Sequence, residues 1–291
     1  MPMDLPVSRE LRSRVDDRIN AWRVSVERVS QTQGSILAFG RRGTQPVVLK
    51  VIKDPGDEWR SGEIVDAFDG KGVVRVYEYV EGAMLLERAC PGTHLVSIAL
   101  NADDDRATEI LVDVIGRMSP CAPAHTVPTV EAWAKGFERY VAGGSTQIPT
   151  RLVLDAHRLY TDLCCSQSQA RLLHGDLHHS NVLFDSDRGW VAVDPKGVAG
   201  ELEYEIGAAL RNPQERPNLF TDPTVIEARA QRFAHELHLD ARRILAWGFA
   251  QAVLSAIWAA EDGLVVEPNH PCIVLANAIR PTLGMEGRTQ P

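Results

Sequence analysis

Three deficits narrow the possibilities before any motif is read. The first is in cysteine. The chain has five, Cys90, Cys121, Cys164, Cys165 and Cys272. An odd count, an adjacent pair and no C-x-x-C exclude a disulfide framework and a thiolate zinc site. The thiols read as reduced and mostly buried. The second is in positive charge: Lys and Arg number 31 against 39 Asp and Glu, a formal net charge of -8. A protein that neutralises phosphate backbones shows the opposite sign, so nucleic acid is not an expected partner. An acidic balance suits solubility and a cationic ligand. The third is in apolar length. The longest uncharged run, Ile244 to Ala260, contains Gly248, Gln251 and Ser255. It is shorter than the ~20 residues a bilayer needs and reads as a buried helix, so no membrane partner is expected. The N-terminal MPMDLPVSRELRSRVDD has no apolar core, does not read as a secretory leader, and makes the cytoplasm the expected location.

What is present is an ordinary globular composition, 44% hydrophobic and 24% charged over 291 residues. That length buries roughly 75% of the unfolded chain's surface. Leu11, Val15, Ile19 and Trp22 recur at helical spacing over 8–22. Residues 23–30, 36–40 and 46–53 read as strands, with turns at 31–35 and 41–45. Asp54-Pro55 supplies an N-cap and a first-turn proline for a helix to about Phe68. Strands 73–80 and 83–88 follow. Beyond Pro91-Gly92 the helical period dominates: 93–100, 107–118, 130–142, 150–167, then 203–211, 223–236, 240–260 and 270–280. A proline-rich loop at 119–128 and a short hairpin at 182–194 interrupt it. The expected organisation is α+β, with a small antiparallel-sheet lobe at 1–88 and a larger, mainly helical lobe at 89–291.

The chemistry concentrates in His174–Asp194, HGDLHHSNVLFDSDRGWVAVD. Asp176 is followed five residues later by Asn181, and a hairpin then leads to Asp194. A carboxylate and an amide oxygen at neighbouring loop ends suit a hard cation such as Mg²⁺. The other carboxylate, Asp176, is left to accept a proton from an attacking hydroxyl. This is the division of labour in kinase phosphoryl transfer, whose loop reads H-R-D-L-x-x-x-N, against H-G-D-L-H-H-S-N here. The same chemistry needs a strand lysine for the α- and β-phosphates and a helix carboxylate to orient it. Lys50, in V-V-L-K-V, fits the first role. Glu58 and Glu63 both fit the second by helix geometry. The glycine loop is thin, with Gly34 and Ser35 the only candidates to cover the phosphates. The end of strand 83–88, at Glu87–Ala89, is the place for adenine.

With these residues in hand, the sequence resembles the aminoglycoside phosphotransferases, specifically the streptomycin 6-phosphotransferase or aminoglycoside/hydroxyurea resistance branch. The resemblance rests on LLHGDLHHSNVLF, RGWVAVDPKGVAGE, the E-W-R-S-G…G-K-G-V-V-R-V stretch and M-L-L-E-R, and spans roughly residues 30–260. It implies a two-lobed protein-kinase-like fold, ATP as donor, Mg²⁺ as cofactor and a small-molecule hydroxyl as acceptor. It implies Asp176 as base, Asn181 and Asp194 as magnesium ligands, Lys50 as phosphate lysine with Glu58 as its partner, and His174 and Glu205 as supports of the catalytic loop. Gly175 stands where protein kinases carry Arg, and no A-P-E follows Asp194, so a small acceptor is favoured over a peptide. Acidic residues suit a guanidinium or amino sugar of the streptomycin kind. The alternatives are a kinase of another alcohol or sugar, a nucleotide-binding pseudokinase, and a zinc hydrolase built on His174, Asp176 and His178. Trp133 and Phe137 have two readings, a sugar-stacking wall or core. The natural acceptor, the hydroxyl position, the choice of ATP or GTP and the oligomeric state are not encoded in these motifs.

Overall fold

The computed structural model describes residues 8–56, 58–101, 103–119, 121–122 and 127–285. The start of the N-terminal stretch and the middle of the proline-rich loop lie outside the described residues. The chain divides into two compact units. One runs through His94 and takes in Leu183–Lys196; the other takes in Leu95–Val182 and the chain from Gly197 onward.

The first unit opens with α1 (Arg9–Ala21), where the Ser8 hydroxyl accepts the Leu11 N–H as an N-cap. Then come β1 (Ser25–Gln31), β2 (Ser35–Arg42), β3 (Gln45–Ile52), α2 (Ser61–Ala67), β4 (Val76–Val80), β5 (Ala83–Glu87) and β6 (Pro91–His94). Five of these strands form an antiparallel sheet in the order β1-β2-β3-β5-β4. Alternation along β3 sends Val47, Leu49 and Val51 into the core with Leu11 and Val15 of α1. Lys50 therefore takes the opposite face, where it is only 6% exposed.

Two local expectations change. No helix starts at Asp54-Pro55: 54–56 are bends, and the Trp59 N–H bonds to Gly56 and the Ser61 N–H to Glu58 in tight turns. The Trp59 carbonyl is held by the Gly82 N–H at 2.7 Å, which fixes the turn against the sheet. Glu58 thus sits in a turn ahead of α2. The helix expected from Thr93 starts later, at Val96, and 91–94 form a strand.

The second unit begins with α3 (Val96–Leu100), α4 (Asp104–Met118), α5 (Val130–Trp133), α6 (Lys135–Ala142), α7 (Thr150–Cys165) and β7 (Arg171–Leu173). The helix expected over 130–142 is broken at Ala134, whose N–H turns back to Glu131. A 3₁₀ turn, His179–Asn181, precedes β8 (Val182–Asp185) and β9 (Gly189–Ala192). These two strands join β6 in a three-stranded sheet, β6-β8-β9. Arg188 anchors that hairpin within the first unit, pairing with Glu87 and donating to the carbonyls of Gly70 and Val73. This is why 183–196 belongs with the first ninety residues although the sequence division was expected at 88/89.

The second unit resumes with β10 (Val198–Gly200), antiparallel to β7. Then follow α8 (Leu202–Leu210), α9 (Pro217–Phe220), α10 (Pro223–Leu237), α11 (Ala241–Glu261) and α12 (Pro271–Ile279). By length and composition alone α11 is apolar and long enough to cross a membrane, but 72% of that stretch is buried inside the protein. Packed by α8, α12 and α7, it is the core helix of the unit.

Candidate active site

In the first unit, four charged side chains from two distant stretches of the sequence form one alternating chain. Lys50 Nζ lies 3.3 Å from Glu58 Oε2 and also pairs with Asp194 Oδ1; the other oxygen of Glu58 pairs with Lys196. The order is Asp194–Lys50–Glu58–Lys196. Burial pushes the Glu58 carboxyl up, but Lys50 and Lys196 outweigh it and hold its pKa below the ordinary value. Glu63, the other carboxylate considered for Lys50, pairs with Arg60 instead.

Gly34 lies beside this chain: a Cβ there would be 4.0 Å from Glu58 Oε2. Ser35 differs. Its N–H bonds to Thr32 Oγ1 at 3.0 Å and its hydroxyl to the same atom at 2.9 Å. The N–H is spent inside the turn and the hydroxyl is paired there, so Gly34 offers a phosphate the freer approach. The Glu87 carboxylate is likewise engaged, by Arg75 and Arg188. Ala89 is buried, and neither its N–H nor its C=O makes a hydrogen bond among the described residues. That leaves a backbone donor and acceptor of the kind adenine recognition uses.

In the second unit, the loop after β7 is fixed from beneath by Glu205 of α8. Its carboxylate accepts the N–H of His174 at 2.6 Å and of Gly175 at 3.1 Å. Burial drives the Glu205 pKa up to about 7, against the pull of the loop N–H groups. Gly175 has φ +82, a conformation that excludes the Arg found here in protein kinases. Buried His174 accepts the Asp176 N–H on Nδ1 at 3.3 Å. Asn181 Nδ2 donates to the Asp176 carbonyl at 2.9 Å. A carbonyl only accepts, so this bond fixes the amide with its nitrogen toward the loop and leaves Oδ1 available to a hard cation.

Asp176 itself is gripped by a residue without a sequence signature. Arg211 Nη2 donates to Asp176 Oδ1 at 3.1 Å, and Arg211 Nη1 donates to Gln251 Oε1 at 3.1 Å. Gln251 Nε2 in turn donates to the Tyr204 carbonyl at 2.6 Å. One oxygen of Asp176 is therefore held, while Oδ2 lies 3.7 Å from His178 Nε2, beyond hydrogen-bond distance. Gly207 makes room for this relay: a Cβ there would lie 2.4 Å from the Gln251 amide.

The structure thus brings Lys50, Glu58 and Asp194 together in one unit, and His174, Asp176, Asn181 and Glu205 together in the other. Sequence reasoning missed Arg211, Gln251 and Lys196. Lys196 was visible in D-P-K, two residues after Asp194; Arg211 and Gln251 had no motif. The zinc reading gains no support, since no three His, Cys, Asp or Glu among the described residues are grouped to hold a metal. Phe137 is core, stacked on His157 at 5.3 Å.

Comparison with known proteins agrees with this chemistry. A family profile described as aminoglycoside/hydroxyurea antibiotic resistance kinase matches residues 21–263. The streptomycin 3''-kinase of Klebsiella pneumoniae is 33% identical over 238 residues, 80% of this chain and 86% of that protein. The streptomycin 6-kinase of Streptomyces glaucescens is 26% identical over 279 residues, 91% and 88% of the two chains. Among solved structures, a thermostable mutant of aminoglycoside phosphotransferase APH(4)-Ia, in ternary complex with ADP and hygromycin B, superposes with a TM-score of 0.64. It is 14% identical, and the match covers 94% of this chain and 99% of that one. At that identity the likeness establishes the fold: protein-kinase-like, with an antiparallel-sheet part and a helical part.

Proposed function

The chain belongs to the aminoglycoside/hydroxyurea antibiotic resistance kinases and is a small-molecule kinase; on that premise we propose that it moves the γ-phosphoryl group of ATP to a hydroxyl of a cationic aminocyclitol of the streptomycin type. The observation that carries the donor side is the convergence of Lys50 and Glu58 with Asp194, more than 130 residues further along the chain, into one ion-paired cluster. Lys50 binds the α- and β-phosphates, and Glu58 orients it. Gly34 approaches the phosphates and Ala89 offers its backbone to adenine. Asn181 Oδ1 in the one unit and Asp194 in the other are each ligands of the kind Mg²⁺ takes, and that ion when bound would neutralise phosphate charge.

Asp176 acts on the acceptor. Arg211 fixes one carboxylate oxygen, and Oδ2 accepts the hydroxyl proton as the acceptor oxygen bonds to Pγ and the bond from Pγ to the ADP oxygen breaks. The products are ADP and a phosphate monoester. Positioning and electrostatics supply most of the acceleration, since the chain forms no covalent intermediate.

The experiment is transfer of labelled phosphate from ATP to streptomycin, other aminocyclitols, hydroxyurea and choline. Transfer to streptomycin, reduced at least ~10³-fold in Asp176→Asn, is the expected result. Good turnover of a different alcohol and none of streptomycin rejects the acceptor assignment. Transfer undiminished in Asp176→Asn rejects the assigned base.

A further inference from the structure

Helix α11 is buried from Ile244 to Leu254 and opens only towards its two ends. Towards its C-terminal end Ser255, Trp258, Ala259 and Ala260 are partly open, and Glu261 and Asp262 are exposed. Residues 251, 255, 258 and 262 are spaced by four, three and four, so they lie on one helix face. Gln251 is the residue that holds Arg211 against Asp176. The face therefore starts at the catalytic carboxylate's support and ends, about 10 Å away by helix rise, at Trp258.

A second tryptophan meets it there. The Trp133 ring, at the end of α5, lies 5.9 Å from that of Trp258 at 84°, and 6.0 Å from Tyr204. Both tryptophans are only partly buried. Neither indole N–H makes a hydrogen bond among the described residues, whereas buried Trp247 donates to Glu201 at 2.6 Å. Gly136 keeps the spot uncovered, since a Cβ there would come within 3.4 Å of Trp258 Nε1. Exposed Asp262 adds a carboxylate at the end of the face.

We propose that Trp133 and Trp258, with Asp262, form a recognition subsite for the part of the acceptor remote from its reacting hydroxyl. The chemistry fits a hydroxyl-rich ring bearing a guanidinium or ammonium group. The indole faces take the cation and the ring, the two N–H groups donate to its oxygens, and Asp262 faces the charge. The inference rests on the proposed acceptor class and adds which residues select it. Molecules the size of hydroxyurea do not span the ~10 Å from Gln251 to Trp258.

The test uses the full-length protein, with steady-state kinetics on streptomycin and on hydroxyurea for wild type, Trp258→Ala, Trp258→Phe and Trp133→Phe. Trp258→Ala is expected to raise KM for streptomycin about tenfold, with kcat within about twofold and the KM values for ATP and for any hydroxyurea turnover unchanged. Trp258→Phe keeps an aromatic face and guards against misfolding; it should fall in between. Binding is read separately in Asp176→Asn by calorimetry and tryptophan emission: streptomycin should change the emission, and Trp258→Phe should remove most of that change. An unchanged streptomycin KM in Trp258→Ala overturns the subsite, as does an equal rise for ATP or hydroxyurea. Should the wild type phosphorylate no aminocyclitol, the acceptor reading fails on its own, and the binding assay still decides: no Trp258-dependent response to streptomycin overturns the subsite.

Discussion

At the scale of single residues, the proposed base is firmly held. Asp176 is half-exposed, yet one oxygen is fixed by Arg211, itself 8% exposed and braced by Gln251. Removing a guanidinium from such a buried pair frees the carboxylate to sample unproductive rotamers, while the nucleotide-binding residues are untouched. Arg211→Met should therefore lower kcat about 10- to 100-fold with the KM for ATP within about twofold. Gln251→Leu, which leaves Arg211 charged but unbraced, should fall between wild type and Arg211→Met. A loss confined to the KM for ATP would show that Arg211 does not act through Asp176. The proposed base was legible from H-G-D-L-H-H-S-N because phosphoryl transfer demands a fixed interval between its carboxylate and its amide. Arg211 was not, because an arginine at a helix end has no interval to betray it; only the fold brings it to a loop thirty-five residues earlier. Lys196 is an intermediate case, adjacent in sequence to a recognised residue but silent about its pairing with Glu58.

At the scale of elements, α8 is the platform of the loop after β7. Glu205 accepts backbone N–H groups of that loop, and Gly207, one half-turn on, admits Gln251. Gly207→Ala should cost activity more than a helix glycine-to-alanine change otherwise would, since the Cβ meets the Gln251 amide at 2.4 Å. Glu205 carries the pH dependence. Burial raises its pKa to about 7 from 4.5, so its neutral form is favoured by folding. The associated stability is complete below about 4.5 and is lost as pH rises through about 7, amounting to roughly 3 kcal/mol across the interval. Melting curves of wild type and Glu205→Gln should diverge at low pH in favour of wild type and approach each other by pH 8; a difference independent of pH would refute the titration. At every pH Glu205→Gln should lower kcat, because an amide presents donors to N–H groups that need an acceptor. Long periodic helices were legible here, α4, α10 and α11 among them. The strands β7 and β10, three residues each, were too short to show alternation. The break at Ala134 was invisible because alanine carries no stop signal.

At the scale of the whole molecule, the chain passes between its two units three times, after His94, Val182 and Lys196. The first unit is thus discontinuous in sequence, which a linear reading places beyond reach: hydrophobic periodicity identifies a hairpin at 182–194 but not the sheet it joins. The tie is Arg188, which pairs with Glu87 and reaches the carbonyls of Gly70 and Val73. The side chains of Arg188 and Glu87 are 15% and 14% exposed. Truncating one partner of so sheltered a pair leaves a carboxylate with Arg75 alone and two carbonyls without their donor, at a cost of about 3 kcal/mol. Because Asp194 follows on the same hairpin, loosening it should also disturb the Lys50–Asp194 pair. Arg188→Met should therefore lower the first melting transition by roughly 10 °C and weaken ATP binding, both measured without acceptor. Saturating ATP at about 100 times Kd should restore about 2.7 kcal/mol by linkage, and less in a Lys50→Met background. If Arg188→Met melts like wild type, the hairpin is held by strand pairing with β6 alone. If it melts early but binds ATP normally, the hairpin's anchor and the nucleotide cluster are energetically separate despite sharing one segment of chain.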